Sequence, residues 1–248
     1  MGKLSFSHVK PPLHAGVEKP WLGWCGLFGN VAAHRRRPSG IEFARIVRRM
    51  GQVFTKCGKL LSVTIRDELW EVAVEQYGYV STLNAEQLGI PMMELGKLAA
   101  RGKLKRIWQG VYRFPEFPAS ANDQLMEYVL WTRDSRAALS HDTALDAYEL
   151  SDINPADVHV TIPKRAKELR RRVVPPALII HYQDLAPEQI SWWQQIPTVT
   201  VATAIDQCIA SRVRADLVLQ AIDAASRRGR IDEATAERQR RELSGCTQ

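Results

Sequence analysis

The stretch that decides the fold of the first half of the chain is LKRIWQGVYRFP, residues 104–115. Two short runs of apolar and basic residues lie on either side of Gln109-Gly110, a dipeptide typical of a two-residue hairpin turn because glycine adopts a positive φ at little cost. The predicted cross-strand pairs are Lys105 with Phe114, Arg106 with Arg113, Ile107 with Tyr112, and Trp108 with Val111. In this register Arg106 and Arg113 repel each other on the face that points away from the preceding helices, and a polyanion over them would offset the repulsion.

Three helices are predicted before this hairpin, within residues 63–80, 81–90 and 91–103. Apolar residues in the first recur at the spacing of one helical face, and Thr64 is placed to cap its start. Gly89 closes the short second helix, and Pro91 occupies a first-turn position of the third, where its missing N–H is not needed. This order of helices followed by a hairpin is typical of a winged helix-turn-helix, which we predict for residues 63–117.

The charge of this region predicts contact with double-stranded DNA. Residues 97–113 include six basic side chains and no acidic one, and a cationic helix-and-wing edge is the electrostatic footprint of a protein that contacts phosphates. The exposed start of the third helix would meet the bases. The predicted DNA-binding residues are Met92, Met93, Lys97, Arg101, Lys103, Lys105, Arg106 and Arg113. The alternative is a winged helix for protein interaction, whose basic residues are merely solvated.

A second domain is predicted from residue 120 to residue 248, after the proline-bounded stretch FPEFPAS. Expected helices and strands alternate in blocks: helices at 122–134 and 138–155, strands at 158–162, 177–182 and 197–201, and helices at 202–211, 214–229 and 231–243. This order indicates an α+β protein with a mixed α/β C-terminal domain. The basic segment 163–176 is either a solvated loop or a further contact with DNA backbone or an acidic partner. Its predicted contact residues are Lys164, Arg165, Lys167, Arg170, Arg171 and Arg172.

Composition and charge exclude several classes of protein. The chain has 248 residues, 45% hydrophobic and 25% charged, which excludes a wholly disordered or collagen-like chain. It has no run of eighteen uninterrupted apolar residues, so no membrane-spanning helix is expected, and its four scattered cysteines fit a cytoplasmic location. The net charge of +7 originates in residues 1–62, which hold eleven basic and two acidic residues. This segment is predicted to be a poorly ordered extension, with a phosphate-gripping arm, an amphipathic surface segment and an Arg-rich targeting peptide as alternatives.

No catalytic residue, metal ligand or cofactor is predicted. Ser140 and His141 are adjacent, but neighbours on a helix point about 100° apart, so a helix cap followed by a buried or interfacial histidine is expected. His159 and His181 lie on predicted strands and are interpreted as core or surface histidines, with metal ligation as the alternative. A restriction-type nuclease needs an E-x-K strand, and no glutamate in this sequence is followed two positions later by lysine. The sequence also has no glycine-rich phosphate loop.

Six segments of the chain resemble, in the same order, those of AbiEi-type antitoxins of bacterial type IV toxin–antitoxin (abortive infection) systems. They are GYVSTLNAEQLGI (78–90), LKRIWQGVYRF (104–114), ALSHDTALDAYEL (138–150), HVTIPK (159–164), IIHYQDLAPEQI (179–190) and IPTVTVATAIDQC (196–208). The most characteristic parts are GVY in the hairpin, SH-x-x-AL from Ser140, and H-x-T-x-P from His159. The resemblance covers about residues 65–230 and leaves the N-terminal segment unmatched.

This resemblance implies a regulator that represses its own operon. The winged helix would bind inverted repeats in its own promoter, and the C-terminal antitoxin domain would antagonise a nucleotidyltransferase-like toxin encoded beside it, with or without a stable complex. Two alternatives stay open. One is a winged-helix regulator whose C-terminal domain senses a ligand or a protein and which has no toxin. The other is a degenerate nuclease.

Overall fold

A computed structural model describes residues 64–165 and 173–246 of the chain. The predictions for residues 1–63, and those for Lys167, Arg170, Arg171 and Arg172, lie outside these residues. Within the described ranges the protein is a mixed α/β structure with eight α-helices and two β-sheets. None of these helices combines the length and the apolar character that crossing a bilayer requires. We describe a first segment, residues 64–114, and a second segment, residues 120–165 and 173–246.

The first segment contains the predicted helices and hairpin, together with one short additional strand. Its elements are α1 (Ile65–Glu75), β1 (Tyr79–Ser81), α2 (Thr82–Leu88), α3 (Met92–Ala100), β2 (Lys105–Trp108) and β3 (Val111–Arg113). Thr64 caps α1 in a reciprocal pair of hydrogen bonds with Asp67, and Gly89 ends α2 with a φ of 70°. Gly110 forms the hairpin turn with a φ of 83°, at which an added side chain would be strained. The strands form an antiparallel sheet in the order β1-β3-β2.

A bulge in β2 changes the register that the sequence predicts. Trp108 lies opposite Val111, as expected. The register then shifts between Arg106 and Trp108, so that Arg106 lies opposite Tyr112 rather than opposite Arg113. The structure also places Lys105 opposite Arg113. The predicted pairings of Lys105 with Phe114, Arg106 with Arg113 and Ile107 with Tyr112 were therefore wrong, because the alternation of side chains cannot show where a strand carries an extra residue.

The second segment is built on a five-stranded mixed sheet. Its elements are α4 (Asp123–Trp131), β4 (Ala138–Leu139), α5 (His141–Ala147), β5 (Val158–Ile162), β6 (Leu178–Tyr182), a 3-10 turn (Pro187–Gln189), β7 (Ile190–Trp193), β8 (Ile196–Val199), α6 (Val201–Ala210), α7 (Ala215–Arg227) and α8 (Glu233–Cys246). The strand order is β6-β5-β4-β8-β7, with β5 parallel to β6, β4 parallel to β8, and the other two pairs antiparallel. Strands β5, β6 and β8 overlap the predicted strands, whereas the short strands β4 and β7 were not predicted. Residues 138–155 were predicted to be one helix, but they begin with β4 and are helical only over α5.

The two segments share a hydrophobic core. Tyr79 and Val111 of the small sheet pack in one cluster with Met126 of α4 and with Leu139 and Val160 of the large sheet. A second cluster lies on the other face of the large sheet and includes the buried sides of α5, α6, α7 and α8. A third cluster fills the interior of the first segment. Helix α4 therefore packs between the two sheets and joins the first segment to the second.

Candidate nucleic-acid interface and histidine cluster

Four of the predicted DNA-binding residues are exposed along the chain from the end of α3 into β2. Helix α3 ends at Ala100, and the chain turns through Gly102 into β2. The basic side chains along this turn are Arg101, Lys103, Lys105 and Arg106, and all four residues are exposed. Among the residues that the structure describes, none of the four forms an ion pair with a carboxylate. We call these four residues the cationic edge.

Two other predicted contact residues are engaged by carboxylates. Lys97 is exposed, but its Nζ lies 2.7 Å from Glu94 Oε1, one turn earlier on α3. The guanidinium of Arg113 donates to Asp123 Oδ2 over 2.8 Å and to the carbonyl oxygen of Pro118, and the Arg113 side chain is only 17% exposed. Arg113 therefore does not share an outward face with Arg106, as the predicted register required.

The start of α3 presents apolar rather than polar side chains. Met92 and Met93, the two predicted base-contacting residues, are 58% and 72% exposed. Leu95, in contrast, is fully buried and anchors the helix in the core of the first segment. Helix α3 thus has a buried side, an exposed N-terminal end at Met92 and Met93, and the cationic edge beyond its C-terminal end.

Helix α4 of the second segment holds the hairpin in place. The Glu127 carboxylate accepts hydrogen bonds from Trp108 Nε1 on β2 and from the Tyr79 hydroxyl on β1. Burial, together with the negative charge of Glu127, raises the pKa of Tyr79, so its hydroxyl stays protonated and able to donate. Asp123, one turn earlier on α4, engages Arg113 of β3. All three strands of the small sheet are therefore tied to one helix outside the first segment.

The additional basic segment is described only in part. Lys164 and Arg165 are exposed and follow β5 directly. The Lys164 backbone N–H donates to Asp184 Oδ1, which lies beyond the end of β6. The other predicted contact residues of this segment lie outside the described ranges.

Three histidines of the second segment, which we call the histidine cluster, come into contact with one another. His141 begins α5, His159 lies on β5, and His181 lies on β6. The ring of His141 stacks on that of His181 with centroids 3.6 Å apart, and His159 Nδ1 lies 3.0 Å from His181 Nε2. One ring nitrogen from each histidine lies within 4.8 Å of the other two. Asp142 Oδ1 lies 3.2 Å from His159 Nδ1.

Burial keeps two of these imidazoles neutral. Loss of hydration, with smaller contributions from the neighbouring histidines, lowers the pKa of His141 from 6.5 to about 3. The same cause, again with His159 as a neighbour, lowers the pKa of His181 to about 4, although Asp142 opposes the shift. At pH 7 both rings therefore have a lone pair on one ring nitrogen.

Polar groups of the surrounding elements hold the cluster. The Ser140 hydroxyl lies 3.0 Å from His141 Nδ1 rather than capping α5 by a hydrogen bond, so only the position of the predicted cap is confirmed. Gln207 of α6 accepts from the His141 backbone N–H, and Thr143 accepts from that of His159. His141 itself has a φ of 54°, a conformation that costs a non-glycine residue about 1–3 kcal/mol. Strain of this kind is maintained by surrounding contacts and is concentrated at functional sites.

The sequence indicated these histidines individually but not their contact. His159 and His181 share a face of the sheet because β5 and β6 pair in parallel with Thr161 opposite His181. A parallel pairing of the segments HVT and IIH would have predicted this, but nothing local in the sequence specifies which strands are neighbours. His141 joins them because β4 pairs with the other edge of β5, and α5 begins at His141, two residues after the end of β4.

Comparisons with known proteins do not assign the chain to a family. No protein-family model and no curated protein matches it. Among solved structures, the chain is similar to one described as the crystal structure of the RV2827C protein from Mycobacterium tuberculosis. The two chains are 13% identical, and the match covers 85% of this chain and 83% of that chain with a TM-score of 0.31. A likeness this weak supports no inference about fold or function, and the resemblance to AbiEi-type antitoxins stays a prediction from the sequence.

Proposed function

We propose that this protein is a DNA-binding antitoxin that represses its own promoter and acts without catalysis. In this proposal residues 64–114 form a winged helix-turn-helix, and the second segment antagonises a nucleotidyltransferase-like toxin encoded beside it. The DNA-binding half is supported by the structure of the first segment. The toxin-directed half is supported by the sequence resemblance described above.

The observation that carries the proposal is the cationic edge. Four basic side chains within six residues are exposed, and no carboxylate of the described residues neutralises them. Basic residues without counter-charges attract the phosphates of a duplex and release its condensed cations. The edge also lies where a recognition helix and a wing would be expected to approach DNA, since it runs from the end of α3 into β2.

The order of elements in the first segment supports the same conclusion. Helix α3 follows the short helix α2 after the turn at Gly89, and its exposed start faces away from the core that holds Leu95. The hairpin β2–β3 follows directly, as the wing does in this class of domain. Met92 and Met93 would then contact the edges of the bases or thymine methyl groups, while the cationic edge contacts phosphates.

The DNA-binding half can be tested with full-length protein and a fluorescent duplex that spans its own promoter. We expect the Lys105→Ala/Arg106→Ala variant to bind the duplex about 10–100-fold more weakly, because two phosphate contacts are lost. The matched control is Arg212→Ala/Arg227→Ala, which removes the same charge from exposed positions of the second segment. Equal losses in the two variants would show that binding depends only on net charge, and absence of binding would refute a DNA-binding function.

The toxin-directed half can be tested by co-expressing the full chain with the toxin encoded beside it. We expect the wild type and the Lys105→Ala/Arg106→Ala variant to restore growth equally, whereas only the wild type represses a reporter driven by the promoter. Repression by the wild type without any rescue of growth would favour the regulator that has no toxin. Metal-dependent cleavage of plasmid by the purified protein would instead favour the nuclease.

A further inference from the structure

We propose that His141, His159 and His181 bind a divalent transition metal ion such as Zn²⁺, with Asp142 as the oxygen ligand. The proposal goes beyond the function proposed above and does not depend on it. Imidazole nitrogen and carboxylate oxygen are common ligands of Zn²⁺ in four-coordinate sites.

The first observation is the convergence of residues that are distant in the sequence. The chain has six histidines, and the only three that fall within the described residues are the members of this cluster. They come from a helix start and from two neighbouring strands, yet one ring nitrogen from each lies within 4.8 Å of the other two. The fold therefore gathers every histidine of the described ranges at one point.

The second observation is the distance between two facing nitrogens. His159 Nδ1 and His181 Nε2 lie 3.0 Å apart. Two nitrogens that share a tetrahedral Zn²⁺ ion at about 2.0–2.1 Å are separated by roughly 3.3 Å, so the pair would need to open by only a few tenths of an ångström.

The third observation is an unsatisfied oxygen beside this pair. Asp142 Oδ1 is buried and lies 3.2 Å from His159 Nδ1, yet no hydrogen bond of acceptable geometry reaches it from the described residues. Buried carboxylate oxygens are rarely left without a partner. Asp142 Oδ1 and the two imidazole nitrogens would all be satisfied by one cation between them.

His141 has to turn to complete the site. Its ring stacks on that of His181 at an interplanar angle of 21°, so their lone pairs run side by side rather than toward one point. A rotation about the side-chain bonds of His141 would bring one nitrogen toward the other ligands. The Ser140 hydroxyl, 3.0 Å from Nδ1, can accept a hydrogen bond from an Nδ1–H, and in that tautomer the lone pair is on Nε2.

The site is also accessible to an ion. His141 is buried, but the side chains of His159 and Asp142 are 17% and 19% exposed. A partly open cluster provides the entry path that a metal site needs, while the buried side limits competition from water.

The test uses the full-length chain after removal of metals with a chelator. Titration with Zn²⁺ against a chromophoric competitor is expected to give one ion per chain with a dissociation constant of about 1 µM or tighter. Co²⁺ is expected to give the visible absorption of a four-coordinate nitrogen and oxygen site, without the near-ultraviolet band of a thiolate ligand. Binding should also raise the melting temperature, because the ion binds the folded state.

The matched control removes three histidines from elsewhere in the same chain. A His8→Asn/His14→Asn/His34→Asn variant should bind Zn²⁺ like the wild type, whereas His141→Asn/His159→Asn/His181→Asn should lose at least 100-fold in affinity. If the second variant does not fold, Asp142→Asn retains all three imidazoles and should weaken binding about 10-fold. The proposal is overturned if the wild type binds no ion at 100 µM, or if both triple variants bind equally. Either result would leave the cluster as a hydrogen-bonded polar group of the core.

Discussion

The cationic edge of the first segment and the histidine cluster of the second segment place basic side chains in opposite ways. The first segment exposes the cationic edge without carboxylate partners among the described residues. In the second segment Arg238 contacts Asp206 and Glu242, and three imidazoles, one buried and two half-buried, contact one another. A count of basic residues therefore does not locate a binding surface. What distinguishes the cationic edge is that four exposed basic residues without an ion pair among the described residues lie within six positions, so they are available together to an outside anion.

The largest expected effect is a loss of the protein's stability in acid, caused by the histidine cluster. The folded state keeps His141 and His181 neutral, with pKa values of about 3 and 4, whereas the unfolded chain takes up protons near pH 6.5. Their contribution is therefore complete above pH 6.5 and is lost as the pH falls toward 4. We expect the free energy of unfolding to fall by roughly 5 kcal/mol between pH 7 and pH 4.5.

This prediction is checked by urea unfolding in a buffer that contains EDTA, so that metal binding does not contribute. His181→Asn serves as the control, because one of the two low pKa values is removed and the dependence on pH should weaken. A wild-type stability that is unchanged between pH 7 and pH 4.5 would show that the imidazoles are not held neutral.

The next effect concerns the number of exposed, unpaired cations. If the four residues of the cationic edge each contact one phosphate, affinity for duplex DNA should fall about 100-fold between 50 and 200 mM salt. With six contacts, the fall in affinity would be about 10³-fold or more. Six contacts would require Lys97 and Arg113 to break their ion pairs with Glu94 and Asp123. The slope of binding affinity against salt concentration, measured by fluorescence anisotropy, separates the two values. A fall of less than 5-fold would contradict phosphate contact by this surface.

A smaller effect is expected where the two segments meet. Glu127→Ala removes the acceptor shared by Trp108 and Tyr79, and the buried donors are left unpaired. We expect thermal or urea unfolding to show a loss of about 2 kcal/mol. Glu86→Ala, on the exposed side of α2, is the matched control and should change stability by less than about 0.5 kcal/mol. Similar losses in both variants would show that Glu127 does not anchor the hairpin.

The smallest effect is expected for Arg113, which, unlike Lys105 and Arg106 of the same hairpin, forms an ion pair within the described part of the chain. Arg113→Ala breaks the partly buried pair with Asp123, and we expect stability to fall by about 1 kcal/mol. The affinity of this variant for DNA should change less than 3-fold. Arg106→Ala should instead lose affinity for DNA and keep its stability. A large loss of DNA binding in Arg113→Ala, with stability unchanged, would place Arg113 back among the phosphate contacts.

Local patterns predicted much of the first segment. The cap at Thr64, the turn at Gly89 and the turn at Gly110 depend on residues only a few positions apart. Such interactions are decided by backbone conformation and short-range hydrogen bonds, so they can be inferred from spacing. The cationic edge was predicted for the same reason, because its residues lie within one turn and the strand that follows.

Tertiary contacts decided the rest. The bulge in β2 places Arg106 opposite Tyr112. Arg113 forms a partly buried ion pair with Asp123, ten residues further along the chain. His141, His159 and His181 met only because β4, β5 and β6 are neighbours in the large sheet. Thus local sequence patterns were sufficient to predict the turns and most of the helices, and the sequence states which side chains are basic. Which of those side chains face solvent and which face one another depended on strand order and register, which are set by packing between residues far apart in the chain.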